Sequence, residues 1–434
     1  MDTLAISWLF LAVTIVGAGF TVAALVPARR LSFFVVPYFF AGWLAGELAA
    51  HHIAWQAVAT IVFVSLGALD AWPGRIGLLI TVVSWGGLLA AIRRSRSTAE
   101  VIDDALNDAL GRDYRDTVRP HAEDVVPTAE IARPFKTRRR EVERVRHIAY
   151  GDAGARHTLD IHKPRVVGER RPVLLQIHGG AWVIGRKDQQ GQPLMNHLAA
   201  RGWVCVAPNY RLSPKVTFPD HLIDVKRALA WVREHIAEHG GDPDFIVVTG
   251  GSAGGHLSSL VALTPNRPEY QPGFEDVDTT VAACVPFYGV YDFLERHGAR
   301  KSMSMQPFLE KLIMKCSPTE ERDRWIAASP IDAVNADAPP FFVIHGTHDS
   351  LAYIEDARAF VSELRKVSKQ AVVYAELPGA QHAFETFHSL RTAHTIRAVS
   401  RFLHKVHAAY LADDEIGRSA AAAPQMGASH GRAS

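Results

Sequence analysis

Nearly all the charge of this 434-residue chain lies beyond its first ninety residues, which are almost free of Lys, Arg, Asp and Glu. Leu4 to Val26 is a 23-residue run without one charged side chain. A helix of that length covers the roughly 30 Å hydrocarbon core of a bilayer. No basic stretch precedes it and further apolar runs follow, which favours a crossing helix over a cleaved secretory signal. Leu31 to Leu48 (interrupted by Pro37 and Glu47), Ile53 to Leu69 and Ile76 to Ile92 are the next candidates. Residues 1–94 are therefore expected to form a transmembrane helical domain of three to four spans, with membrane lipids as partners. Trp43, Trp55, Trp72 and Trp85 lie partly at run ends, where interfacial anchors belong. Arg29-Arg30 and the Arg93, Arg94, Arg96 cluster fall on opposite sides with four spans and on one side with three. The density of the second cluster favours a multi-pass protein, at the plasma membrane, with its polar half in the cytoplasm.

The remaining composition excludes several classes. A net charge of +2 offers nucleic acid no electrostatic footprint. Cys205, Cys284 and Cys316 are too far apart for a metal-ligand spacing or a disulfide framework, so neither metal nor cofactor is expected. Residues 95–141 read as a linker. Within it, Ser97 to Leu110 carries an apolar stripe at helical spacing, and Ser97 with Glu100 forms a capping-box pattern. Lys136-Thr137-Arg138-Arg139-Arg140 is either a headgroup-binding cluster or a solvated surface. Residues 411–434, rich in Ala, Gly and Ser from Gly417 onward, read as a disordered tail.

From residue 142 to 410 the pattern becomes strands alternating with helices. Strand-like runs fall at 143–150, 157–162, 172–178, 203–208, 244–249, 280–287, 341–346 and 371–377. Helical patterns fall at 190–200, 219–239, 253–263, 351–367 and 386–410. Two strands without a helix between them, then β–α alternation, predict a mostly parallel eight-stranded sheet covered on both faces. Residues 293–330 break the alternation and are expected to form a cap over the sheet's C-terminal edge.

Within this half, Phe245 to Thr249 is a β-branched run entering Gly250-Gly251-Ser252-Ala253-Gly254-Gly255, and a helical pattern follows. Strand, Gly-x-Ser-x-Gly, helix is the context of a nucleophile elbow, which presents its serine at the top of a sheet. Serine needs a base, and the base needs a group to orient it. Phe341 to Ile344 is a buried strand that delivers Asp349 at the sheet's C-terminal edge. The next strand ends in Pro378-Gly379-Ala380-Gln381-His382, placing His382 on the following loop. Ser252 as nucleophile, His382 as base and Asp349 as its orienting acid complete a triad in the order Ser, Asp, His. His345 and His348 flank the acid but share its loop, so neither is the expected base. Strand 172–178 ends in His178-Gly179-Gly180-Ala181-Trp182, whose Gly179 and Gly180 N–H groups are expected to form an oxyanion hole with that of Ala253. His178 is expected to orient that loop.

These motifs resemble those of the α/β-hydrolase superfamily, and within it the hormone-sensitive-lipase-like esterases. The resemblance rests on His178-Gly179-Gly180, on Gly250 to Gly255, and on Asn209-Tyr210-Arg211-Leu212-Ser213-Pro214. Apolar spans ahead of a hydrolase are similar to membrane-associated mycobacterial-type lipases and esterases. The resemblance implies an α/β-hydrolase fold acting on small-molecule or lipid esters. Two departures stand out: Gly251 replaces the acidic residue usual before the serine, and His382-Ala383-Phe384 stands where His-Gly-Phe is common. The His178 to Trp182 loop is equally similar to the kynurenine-formamidase-like branch, so an amidase or formamidase is the alternative. A membrane-tethered binding protein without chemistry is a third reading.

Overall fold

The computed structural model describes residues 2–27, 35–114, 126–166, 168–296 and 304–422. Arg29, Arg30 and residues 423–434 lie outside the described residues. Helix α1 (Thr3–Leu25) is followed by α2 (Val35–Glu47), α3 (Ala49–Ser65), α4 (Trp72–Arg96) and α5 (Thr98–Leu110). Among the described residues, two helices are long and apolar enough to cross a membrane, Thr3–Leu25 and the continuous Trp72–Leu110. Among the described residues, the second and third apolar runs become α2 and α3, which meet at 91° around Leu48 and by length and composition suit one bent span, up to three in all. Proline in the second run and its short length leave α2 too brief to cross alone.

Apolar association in this domain uses small residues and shared hydroxyls rather than a large core. A Cβ on Gly42 would lie 2.5 Å from the Ala23 carbonyl, and one on Gly87 would lie 2.7 Å from Thr21, so both helices approach α1 closely. Thr21 and Ser84 hydroxyls bond at 2.7 Å, and Ser84 donates to Gln56. Trp8 packs on Trp72 at one end of the α1–α4 pair, and Arg94 donates to Leu25 O at the other, so the two helices run parallel. Val16, Ile61 and Val83 remain 60%, 68% and 67% exposed, so this domain keeps large apolar side chains on its outer surface.

Ser97 does not cap α5. It takes helical φ and ψ (−66° and −10°), and its hydroxyl donates back to Arg94 O, so α4 passes into α5 without the expected capping box. The predicted stripe instead buries Ile102 and Leu106 in the cluster formed by one face of the sheet. Part of the expected linker therefore packs with the sheet-containing half. Arg139 pairs with Glu130, and Arg144 with Asp160, each at 2.5 Å, which ties part of the basic stretch into the fold.

The sheet contains β1 (Val142–Ala149), β2 (Thr158–Pro164), β3 (Arg171–Ile177), β4 (Val204–Pro208), β5 (Gly241–Gly251), β6 (Ala283–Phe287), β7 (Phe341–Gly346) and β8 (Val372–Leu377). Their spatial order is β1-β2-β4-β3-β5-β6-β7-β8. β1 pairs antiparallel with β2 and β2 with β4, while every other neighbouring pair is parallel. Its faces are covered by α6 (Gln192–Ala199), α7 (Asp220–His235), α8 (Ala253–Leu263), α9 (Ile354–Val367) and α10 (Leu390–Ala422). Burial on both faces explains why β3, β4 and β7 are apolar along their length. Cys205 and Cys284 are wholly buried, and burial pushes both thiols up and out of reactive range. The last helix continues to Ala422, past residue 410 where the sequence places the tail. Between β6 and β7, Leu309, Ile313, Met314 and Trp325 join the core beside α8, so the insertion is packed in place.

Burial holds His162, His178 and His221 down to about 4, against an ordinary value of 6.5. An unfolded chain would bind protons at these rings that the folded one refuses. Stability (the free energy of unfolding) therefore falls as pH drops from about 6.5 toward 4 and is flat above that window with respect to these groups. Thermal midpoints measured from pH 8 to 4 should be level at the top and fall steeply below about 6.5. A midpoint independent of pH down to 4 would contradict the buried neutral state of these rings.

Candidate active site

The Gly-x-Ser-x-Gly stretch forms where β5 runs into α8. Ser252 takes φ 59° and ψ −120°, a strained conformation for a side-chain-bearing residue that costs about 1–3 kcal/mol. The strain is held by hydrogen bonds on both sides. Ser252 N–H donates to Phe287 O at 3.0 Å, and Ser252 O accepts from His256 N–H at 3.0 Å. Gly254 is needed because a Cβ there would fall 2.1 Å from the Ile177 carbonyl. Its absence lets the helix start press onto the end of β3. Ser252 remains partly exposed, while Ala253 is buried at the first turn of α8.

Asp349 and His382 come from the loops after β7 and β8, and the structure brings them together. His382 Nδ1 lies 2.7 Å from Asp349 Oδ2. Because a carboxylate accepts, Nδ1 carries the hydrogen and Nε2 is left for proton exchange. Asp349 Oδ1 accepts from the N–H groups of Leu351 and Ala352 at 2.9 and 2.8 Å. Burial alone would raise the Asp349 carboxyl. The charge of His382 and hydrogen bonds from His345 and His382 outweigh it and hold the group far below the usual carboxylate range. Asp349 therefore stays ionised across the physiological range.

His345 is a site neighbour that sequence reasoning set aside. Its Nε2 donates to Ala352 O at 2.8 Å and sits 3.3 Å from Asp349 Oδ2, so it braces the acid without competing as a base. Gln381 is another. Its side-chain carbonyl accepts from Ser350 N–H at 2.8 Å and His382 N–H at 2.9 Å, tying the acid loop to the base loop. No motif marks either residue; only the pairing of neighbouring parallel strands brings them into register.

The loop after β3 behaves differently from the expectation at one position. His178 Nδ1 bonds Gly179 O at 2.7 Å, its ring stacks on Tyr210 at 4.3 Å, and burial keeps it neutral, as an orienting role requires. Gly179 N–H, however, donates to Gln190 Oε1 at 2.6 Å. That donor is occupied. Gly180, Ala181 and Trp182 follow with φ of 116°, 50° and 60°, so the loop curls sharply there. Among the described residues, the Gly180 and Ala253 N–H groups make no hydrogen bond to a protein acceptor, whereas the Gly179 N–H is bonded to Gln190.

The two departures in the motifs have local causes. A Cβ on Gly251 would lie 2.5 Å from the hydroxyl of Tyr288. Tyr288 occupies the space that the usual acidic side chain would need, packs its ring 4.5 Å from that of His382, and donates to Glu385. Burial pushes the Glu385 carboxyl up, and Tyr288 supplies its partner. Ala383 adopts φ 58°, the left-handed conformation for which glycine is common. Its carbonyl accepts from Thr386 and from Trp43 of α2. Gly251→Ala should lower stability by about 1–3 kcal/mol through overpacking against Tyr288. Calorimetry or denaturant titration would register the loss, and unchanged stability would show that the Tyr288 contact is loose.

The family described as BD-FAE matches residues 159–364. Over 427 residues the chain is 46% identical to the probable carboxylic ester hydrolase LipM of Mycobacterium tuberculosis, covering 95% of this chain and 96% of that one. Esterase LipQ of the same organism is 40% identical over 378 residues, covering 85% and 84%. Among solved structures, the butyrate-bound esterase 2 of Thermogutta terrifontis matches with a TM-score of 0.52 at 27% identity, covering 62% of this chain and 95% of that one. Similarity of this extent, over the apolar helices and the hydrolase fold alike, places the chain in the LipM- and LipQ-type esterases of the α/β-hydrolase superfamily, and it is a carboxylic ester hydrolase.

Proposed function

We propose that this protein is a membrane-anchored serine esterase that cleaves lipophilic acyl esters through an acyl-enzyme on Ser252. The observation that carries the reading is the buried Asp349–His382 pair beside a strained, partly exposed serine. Tyr288 links the two: its ring lies against His382, and its hydroxyl fills the space next to Gly251. In the proposed reaction, Ser252 Oγ attacks the ester carbonyl while its proton passes to His382 Nε2. Asp349 stabilises the imidazolium, and the oxyanion accepts hydrogen bonds from Gly180 and Ala253. Collapse of the tetrahedral intermediate expels the alcohol, which takes the proton from His382. Water then attacks the acyl carbon, gives a proton to His382, and the acid departs as Ser252 recovers that proton. His178, being neutral and tied to Gly179, transfers none.

The membrane reading rests on α1, α4 and the bent α2–α3 pair. With three crossings, the C-terminal ends of α1 and α4 share one side, the basic end of α4 among them, and the hydrolase half is on it. Positive charge on that side supports a cytoplasmic catalytic half. The relatives are named as ester hydrolases, so the ester reading is the one carried forward.

Turnover of p-nitrophenyl esters of graded chain length tests the reading. Ser252→Ala should lose at least about three orders of magnitude in kcat, and Asp349→Asn about three to four, with folding retained. Equal rates for wild type and Ser252→Ala would sink the mechanism. Chains of four or more carbons should be preferred over acetate, and a strict acetate preference would remove the lipophilic substrate class.

A further inference from the structure

Helix α2 belongs to the apolar N-terminal domain, yet Phe39, Trp43 and Glu47, spaced four apart and so on one helix face, all reach the segment carrying His382. Trp43 Nε1 donates to Ala383 O at 2.9 Å, one residue beyond the base. Phe39 stacks on Trp43 and turns its ring edge toward His382, with centroids 6.3 Å apart. Trp43 also packs on Phe387 at 5.0 Å. One turn along, Glu47 accepts from Ser389 at 2.7 Å and forms an ion pair with Arg391. Arg391 in turn donates to Pro378 O at 3.0 Å, before the base. The loop is thus gripped on both sides of His382 by bonds that begin in α2.

These contacts are buried: Glu47 is 8% exposed and Arg391 1%. An ion pair removed from water is costly, and losing either partner strands the other charge. A helix serving only as a tether would not need to place its carboxylate there. The loop also needs restraint. Ala383 holds φ 58°, which a side-chain-bearing residue adopts only when its surroundings enforce it. Trp43 shares that enforcement with Thr386 at the Ala383 carbonyl itself.

We infer that Trp43 and Glu47 are positioning residues for His382, so that the apolar domain completes the active site as well as attaching it. The inference rests on the reading of His382 as the catalytic base. A displacement of the imidazole by about 1 Å is enough to cost up to a hundredfold in rate. Trp43 and Glu47 act on rate through the loop and touch no substrate.

The test uses the full chain in detergent micelles. Variants are Trp43→Phe, which keeps the ring and removes the donor, Glu47→Gln, which keeps the shape and removes the charge, and Trp72→Phe at the far end of the bundle as control. Active sites are counted by fluorophosphonate titration, and kcat per titrated site, KM and the pH profile of kcat/KM are measured with p-nitrophenyl butyrate. Positioning predicts a fall of about tenfold or more in kcat per site for Trp43→Phe and Glu47→Gln. KM should stay within about twofold, the acid limb of the profile should move, and Trp72→Phe should match wild type. The charged and titratable groups around the base are Asp349, His345, Glu385 and Tyr288, with Glu47 of α2 acting on Glu385. Fewer titratable sites with unchanged kcat per site and an unmoved profile would overturn the inference, because that is what a purely structural role produces. A Ser252→Ala protein as active as wild type would instead refute the underlying reading, so the two failures are distinct.

Discussion

A carboxylate taken wholly out of water must be matched by donors, and Asp349 meets that demand with the imidazoles of His345 and His382 and the N–H groups of Leu351 and Ala352. Those bonds keep it ionised and fix the direction in which His382 presents its free nitrogen. They depend on β7 and β8 being parallel neighbours, since only then do two loops at one sheet edge meet. Gln381 repeats the logic with a neutral group, accepting from both loops at once. The strained serine on β5 is useful only against that fixed background. A proposed triad is in this sense a property of sheet order, with the elbow and the acid loop as its two ends.

The same dependence extends beyond the hydrolase fold. The loop of His382 is flanked by Arg391, which needs Glu47, and by Ala383, which accepts from Trp43. Both partners come from the short helix that lies across the bundle of apolar helices. The bend of 91° after Glu47 turns α2 out of line with α3 and lays it against the catalytic half. A straight hairpin of two spans, as the hydropathy pattern first suggests, would have carried Trp43 and Glu47 away from the site. The long α4–α5 helix adds a second link, because it leaves the apolar bundle and ends packed on the sheet.

How much of this was legible in the residues differs by element. The eight strands and the elbow were readable because β-branched runs and a glycine-bounded serine are local signals. Asp349 and His382 were readable because each follows a strand by a few residues and the chain order matches. The bond from Gly179 N–H to Gln190 was not readable, since sequence adjacency cannot say which N–H of a curled loop is already bonded. Ser97 looked like a cap, yet nothing in its neighbours tells that α4 continues through it. His345, Gln381, Tyr288 and Glu385 carry no motif, and their relation to the base arises from packing between segments far apart in the chain. Glu47 was read as an interruption in an apolar run. Its partner Arg391 lies more than three hundred residues away.

The central claim is that Ser252 is the activated nucleophile of this esterase. Mass-spectrometric mapping of the protein after reaction with a fluorophosphonate locates the modified residue directly. The account predicts a single phosphonyl adduct on Ser252, formed in native protein and abolished by prior unfolding. An adduct on Ser258, Ser259 or any other residue, or no adduct on a protein that hydrolyses esters, would contradict it.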